Sequence, residues 1–386
     1  MMATLSNTVA ARSSVKVETI GDVSHFAALR QEWEELLQSS DSDGFFLTWE
    51  WLYTWWKHLA GDEQLLIIAV RCEGVLIALA PCCLNSASLI HRRLLPVLEF
   101  LGSGFVGSDY LDVIVRRGHE EEACQALSSC LAGQRLTLKW TQLKRGGCLA
   151  AGVAAALVEN GWSVAETLTN ICPFIPLAGK SWDSYLASLG AEHRYNFHRK
   201  WKRLNRDCSV SLEQVRTQAQ CRESIDLVIA LHNLRWRDRG GSDAFHAPAL
   251  VEFHREFSQI ALERGWLRLY VLRLDGKPAA CLYGFLYRRT FYFYQSGLDA
   301  AYDKYSAGLI TMGLAIKSAI EEGVEEYDLL HGNEAYKSHW SYDSRGLIRL
   351  EMYPPRALGW ICRSSVEVER SARRMVRRIL PKGVFA

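Results

Sequence analysis

No C-x-x-C pair occurs in this chain, although it holds 11 cysteines among its 386 residues. The number is odd and the cysteines are scattered, Cys82 and Cys83 being adjacent. Neither a zinc site nor a disulfide framework is signalled, and reduced thiols in a cytoplasm are the plain expectation. Net charge is nearly absent as well: a formal +2 gives no global reason to expect a nucleic-acid partner, so any such case would have to rest on local basic patches. Long apolar runs are missing, none approaching the roughly 20 residues of a membrane span, and the opening "MMATLSNTVAARSSV" lacks the apolar centre of a signal peptide. A soluble, cytoplasmic protein with a disordered leader over residues 1–14 is expected. The helix entry "KYSAGLI" in the second half carries neither a G-x-G-x-x-G turn nor a P-loop lysine.

What is present is the balance of a globular protein, 49% hydrophobic and 23% charged, over a length that allows two domains with full cores. The order is mixed α/β. "VKVETI" reads as a strand, and Asp22 then caps an amphipathic helix through "FAALRQEWEELL". Thr48 is placed to cap a second helix, "WEWLYTWWKHL", whose four tryptophans are assigned to packing.

"LLIIAVRCEGVLIALAPCCL" is a hairpin signal, two β-rich runs around Glu73-Gly74. The pattern returns in "LRLYVLRLDGKPAACLYGFLY", with Arg273 for Arg71 and Asp275-Gly276 for Glu73-Gly74. Both copies follow two helical patterns and precede another strand, "LPVLEFLG" or "TFYFYQSG", so a duplicated α/β unit is predicted. The seam lies near residues 165–180, at "TLTNICPFIPLAGKSW". The predicted units are 15–168 and 169–355, followed by 356–386, a basic amphipathic helix with seven Lys or Arg from Arg363 to Lys382.

The copies differ where chemistry would sit. In the second, "TFYFYQSG" leads through "LDAAYDKY" to "SAGLITMGLAIKSAIEEG", a helix that Ser306 can cap and Gly323 closes. A helix starting just after a strand aims free N–H groups and its positive dipole end at the strand's carboxyl edge, a ready phosphate site; an ordinary capped helix is the bland alternative. The first copy has "LGSGFVGSDYLDVIV" there, whose glycines run into another strand, so no donor site is expected in it.

The stretch "YDLLHGNEAYKSHW" then gathers Asp328, His331, Glu334, Tyr336, Lys337 and His339 after an apolar strand. The order hairpin, strand, "KYSAGLI" and this stretch resembles the acetyltransferase family linked to cellulose and exopolysaccharide synthesis (CelD/BcsL-like), within the GNAT superfamily. Asp328, Gly332, Glu334, Tyr336, Lys337 and Trp340 carry the likeness, together with the basic "HRYNFHRKWKRLNR". The resemblance implies an α/β fold of tandem GNAT-like domains, mixed central sheets flanked by helices, in an arrangement similar to FemAB-type transferases. It also implies an acyltransferase using acetyl-CoA or another acyl-CoA, with no metal. Residues 304–309 ("KYSAGL": Lys304, Tyr305, Ser306, Ala307, Gly308, Leu309) would hold the donor, although a single glycine departs from the general GNAT phosphate loop.

Acyl transfer needs a proton acceptor, donors for the oxyanion, and help for the departing thiolate. Glu334 is the first choice as base, Asp328 and His331 its rivals, and Tyr336 or Tyr305 the candidate acid. Lys337, Arg194, His198 and Trp340 are candidates for binding substrate. Each has a bland rival: Asp328 as a turn cap, Lys337 as a cation covering an aromatic, and Gly332-Asn333 as a plain tight turn. The expected acceptor is a small or sugar-linked amine or hydroxyl; the basic tail is expected to pack on its own domain, the alternative being contact with anionic lipid at the inner membrane or with a polysaccharide synthase. The alternatives are a FemAB-like aminoacyltransferase and a non-catalytic GNAT-like scaffold of a polysaccharide machine.

Overall fold

A computed structural model describes residues 14–85, 95–237, 245, 247–332, 334–355, 359 and 361–364. The tail predicted as a basic helix lies almost wholly outside them. Among the described residues, 13 strands form one sheet. The first half supplies β1 (Val15–Ile20), β2 (Gln64–Cys72), β3 (Val75–Asn85), β4 (Val97–Phe100), β5 (Ile114–Val115), β6 (Thr137–Lys144) and β7 (Ser163–Pro176). The second supplies β8 (Val210–Gln214), β9 (Leu267–Leu274), β10 (Lys277–Tyr287), β11 (Thr290–Leu298), β12 (Glu326–Asp328) and β13 (Asp343–Tyr353).

The duplication predicted from the two hairpins is present down to individual bonds. Glu73 and Gly74 both have positive φ, as do Asp275 and Gly276, the backbone of a two-residue turn matched to strand twist. Arg71 reaches Glu18 on the neighbouring strand and the Gly74 carbonyl, and Arg273 reaches Glu213 and the Gly276 carbonyl in the same way. Such a turn wants two residues tolerant of positive φ, which explains the Glu-Gly and Asp-Gly pairs.

The strand order is β1-β2-β3-β4-β6-β13-β7-β12-β11-β10-β9-β8, with β5 on the side of β3. The halves have exchanged their last strands. β13, the last strand of the second half, lies between β6 and β7 of the first; β7, the last of the first, lies between β12 and β13 of the second. The predicted boundary at 168/169 therefore falls inside β7, and the sheets are continuous through it.

Helices cover this sheet, and the halves share a core. Trp51, fully buried on helix Trp49–Leu59, packs edge-on against Phe253 and Phe257 of helix Pro248–Glu263. Phe45 stacks on Phe285 of β10 with centroids 4.4 Å apart. Trp51, one of the tryptophans assigned to packing, thus packs between halves. Asp22 accepts the His25 N–H as predicted, whereas Thr48 turns its hydroxyl back to the Phe45 carbonyl and makes no cap bond to the helix it precedes. No helix among the described residues is long and apolar enough to cross a membrane.

Candidate active site

β11 runs from Thr290 to Leu298, but only Thr290–Tyr292 pair with β12. Beyond Tyr292 the outer edge of β11 has no strand partner among the described residues, because β12 ends at Asp328. The helix Ala307–Glu321 begins beside that edge. Ser306 stands at its N-cap position with φ +54° and makes no side-chain cap bond, contrary to the predicted cap. The first intrahelical bond runs from Ile310 N–H to Ser306 O, leaving the first-turn N–H groups of Ala307, Gly308 and Leu309 without helical acceptors. A mostly apolar pocket of ≈ 150 Å³ opens there, lined among others by Phe293, Gly308, Leu309, Met312, Tyr336 and Trp340. Gly308 allows close packing of a neighbouring side chain, since a Cβ would meet Leu298 at 2.9 Å.

Approaching this helix from outside is Ala191–Asp207, the basic segment. Phe197 and Leu204 are buried and Trp201 half-buried, as their spacing predicts, while Arg199, Lys202, Arg203 and Arg206 are exposed. Phe197 fills the space over Gly313 and Trp340. Arg203 and Lys304 both lie on the Tyr305 ring, at 5.8 and 4.9 Å from its centroid. Arg194 donates to the Ala187 carbonyl and His198 is exposed, so neither is gathered into the pocket.

The stretch after β12 folds into a compact turn with several tasks reassigned. Asp328 is fully buried, and both of its carboxyl oxygens are engaged, one by the Tyr110 hydroxyl at 2.7 Å and one by the Leu330 N–H at 2.7 Å. With both oxygens so engaged in the interior, it braces the turn. Lys337 is buried too, its ammonium spent on the Leu330 and His331 carbonyls at 3.3 and 2.7 Å and on Glu334 at 3.0 Å. No donor is left over for an anionic substrate. Glu334, expected as base, is half-exposed and clasped to that ammonium across Gly332. Tyr336 and Trp340 line the pocket.

His331 remains, and it has a partner that sequence reasoning missed. Asp109, wholly buried in the glycine-rich loop of the first half, accepts from His331 Nδ1 at 2.8 Å and from the His331 backbone N–H at 2.8 Å. That carboxylate raises the imidazole's pKa above its ordinary value, against the effect of burial. Tyr294 of β11 donates to the Val106 carbonyl and lies 3.2 Å from His254 Nε2, holding the same loop from below. Gly107 has φ +73°, and a Cβ there would come within 4.0 Å of both His331 Cε1 and the Tyr294 hydroxyl.

The first half's own counterpart of the donor helix is Glu120–Ala132, and its first turn is acidic. Glu120, Glu121 and Glu122 fill the first turn, and the Glu120 carboxylate accepts the Gly118 N–H at 2.9 Å. Three carboxylates at a helix start repel an anion. Among the described residues, no group of His, Cys, Asp and Glu is arranged to hold a metal.

Burial pushes the Asp328 carboxyl up to about 7, with Arg345 opposing it. Its folded pKa then exceeds its unfolded value, so the native state holds the extra proton between about pH 4 and 7 and stability falls as pH rises through that window. Asp328→Asn is expected to remove this fall, making the variant less sensitive to pH than the parent in urea unfolding at pH 5 and pH 8. Equal slopes for the two proteins would show that Asp328 is ionised throughout.

Residues 191–338 match the family model described as an acetyltransferase (GNAT) domain, which supports an acyltransferase. No curated protein matches the chain in sequence. Among solved structures, FemX is similar at 13% identity with a TM-score of 0.61, covering 86% of this chain and 96% of its own. A conserved protein of unknown function from Bacteroides thetaiotaomicron gives 14% and 0.56, covering 88% of this chain and 99% of its own. L-PGS from Bacillus licheniformis gives 12% and 0.50, covering 89% and 96%. At these identities the likeness is one of fold.

Proposed function

We propose, on the premise that residues 191–338 are a GNAT-type acyltransferase domain, that the chain transfers an acyl group from acetyl-CoA or a longer acyl-CoA to a hydroxyl or amine of a sugar-linked precursor in polysaccharide synthesis. The observation that carries the donor assignment is the uncapped start of helix Ala307–Glu321 beside the unpaired edge of β11. Backbone N–H groups at a helix N-terminus suit a pyrophosphate, and an open strand edge suits the extended amides of pantetheine, which can pair with it as a short added strand. The apolar pocket would take the acyl end, and the Arg203, Lys304 and Tyr305 group lies where the phosphates' outer charge would fall. The acidic first turn of the first half's helix supports one donor per chain. The sugar-linked acceptor rests on the CelD/BcsL-like segment around Asp328–Trp340. A peripheral contact at the inner membrane rests on the basic composition of residues 363–382.

Ser306→Asp tests the donor site because its two effects have opposite signs. A carboxylate at the N-cap favours the helix but repels a phosphate. Calorimetric titration should show CoA affinity weakened at least about tenfold, a change of roughly 1.4 kcal/mol, with Tm unchanged or raised. Unchanged affinity would overturn the placement.

A second reading, aminoacyl transfer of the FemAB kind, is favoured by the likeness in fold to FemX. The same titration separates the two, since an aminoacyl-tRNA-dependent enzyme would not bind CoA and would transfer from charged tRNA instead.

A further inference from the structure

We propose that Asp109 of the first half and His331 of the second form a single general-base unit that takes the acceptor's proton. The inference rests on the acyltransferase reading above and adds to it which groups move the proton, and that the first half supplies one of them.

Four observations support it. Asp109 contacts both the ring and the backbone of His331, fixing the side chain's orientation as well as the tautomer with hydrogen on Nδ1. The carboxylate is held by more than the histidine, with Gln142 Nε2 donating at 3.0 Å and the Cys172 thiol at 3.6 Å. It is completely buried, whereas 36% of the imidazole side chain is open, and Nε2 has no partner among the described residues. Finally, the ring sits in the turn whose far end, Tyr336 and Trp340, lines the donor pocket, and Lys337 ties the two ends together through the His331 carbonyl. A base oriented by a buried carboxylate, with its second nitrogen unpaired on a partly open ring, is the arrangement that activates a weak nucleophile.

The step balances without any further reactant. The acceptor's oxygen or nitrogen forms a bond to the thioester carbonyl carbon as its proton passes to His331 Nε2, and Asp109 stabilises the resulting imidazolium. The carbon–sulfur bond then breaks, and the imidazolium returns the proton to the CoA thiolate. A hydroxyl acceptor gains most, because it cannot shed its proton before attack. The charged and titratable groups facing His331 are Asp109, Glu334 and Lys337, with the Tyr294 hydroxyl across Gly107 and Cys172 and Tyr110 around Asp109.

The test measures transfer rate against pH together with CoA affinity, on the full chain. His331→Gln should lower kcat by roughly 10²- to 10⁴-fold at unchanged CoA affinity. The parent's rate should rise with pH along a limb set by His331, whose pKa the carboxylate raises. In Asp109→Asn that limb should move to lower pH, because the imidazolium loses its counter-charge, and kcat should fall; a purely structural role for Asp109 would lower activity without moving the limb. If Asp109→Asn fails to fold, the limb is read instead from the His331 ring resonances in the parent, which should titrate with the rate. Full kcat in His331→Gln with CoA still bound overturns the dyad and leaves the acyltransferase reading standing. Loss of CoA binding in the parent overturns the reading itself.

Discussion

Replacing Leu350 by proline is expected to unfold both halves of the chain together. Leu350 is buried in the middle of β13, opposite Trp140 of β6 on one side and Glu166 of β7 on the other. Proline removes a ladder N–H from a central strand, stranding a buried acceptor at about 1–3 kcal/mol, and truncating a buried leucine costs about 2–5 kcal/mol. The sum is comparable with the whole stability of an ordinary domain, about 5–15 kcal/mol. Because β13 completes the first half's sheet, hydrogen exchange should show peptides from β2–β3 losing protection at the same urea concentration as peptides from β9–β10. Protection retained in β2–β3 after β9–β10 have opened would mean that the halves fold as separate units.

The second large effect is expected at the clasp under His331. Lys337→Met leaves the Leu330 and His331 carbonyls without their donor, and each buried group so stranded costs about 1–3 kcal/mol. Melting temperature and kcat should fall together, since the same ammonium fixes the backbone that carries the imidazole. Had Lys337 bound a substrate's charge, KM would rise while the melting temperature stayed put, and that outcome would restore the role expected from sequence. Gly332→Ala should mimic the loss. Its φ is +132°, and a methyl there would push into the Glu334 carboxylate and to within 2.8 Å of Lys337 Nζ.

Much of this was legible in the residues. The hairpin repeat, the amphipathic helices and the unlike treatment of "KYSAGLI" in the two copies follow from local chemistry: periodicity, turn residues, and a helix that starts just after a strand in one copy only. Two things were not. Asp109 reads as one polar residue in a glycine-rich loop, and its partner is 222 residues away, so no local pattern announces the pair. The contact between Glu334 and Lys337 was hidden for the opposite reason. They are neighbours in sequence and satisfy one another in space, so residue types suited to catalysis are consumed in building a turn. The exchange of β7 and β13 was hidden because each strand's own pattern is the same whichever sheet it joins.

That exchange also sets a timetable. During synthesis β6 leaves the ribosome with the edge that will pair to Leu347, Ile348 and their neighbours still vacant, because β13 begins only at Asp343. At about 5–20 residues per second the wait is roughly 10–40 seconds, ample for an open strand to find a wrong partner. Lys139 and Lys144 on β6 are the kind of residue that discourages such pairing. Asp109, already made, likewise has no histidine to orient until His331 emerges 222 residues later.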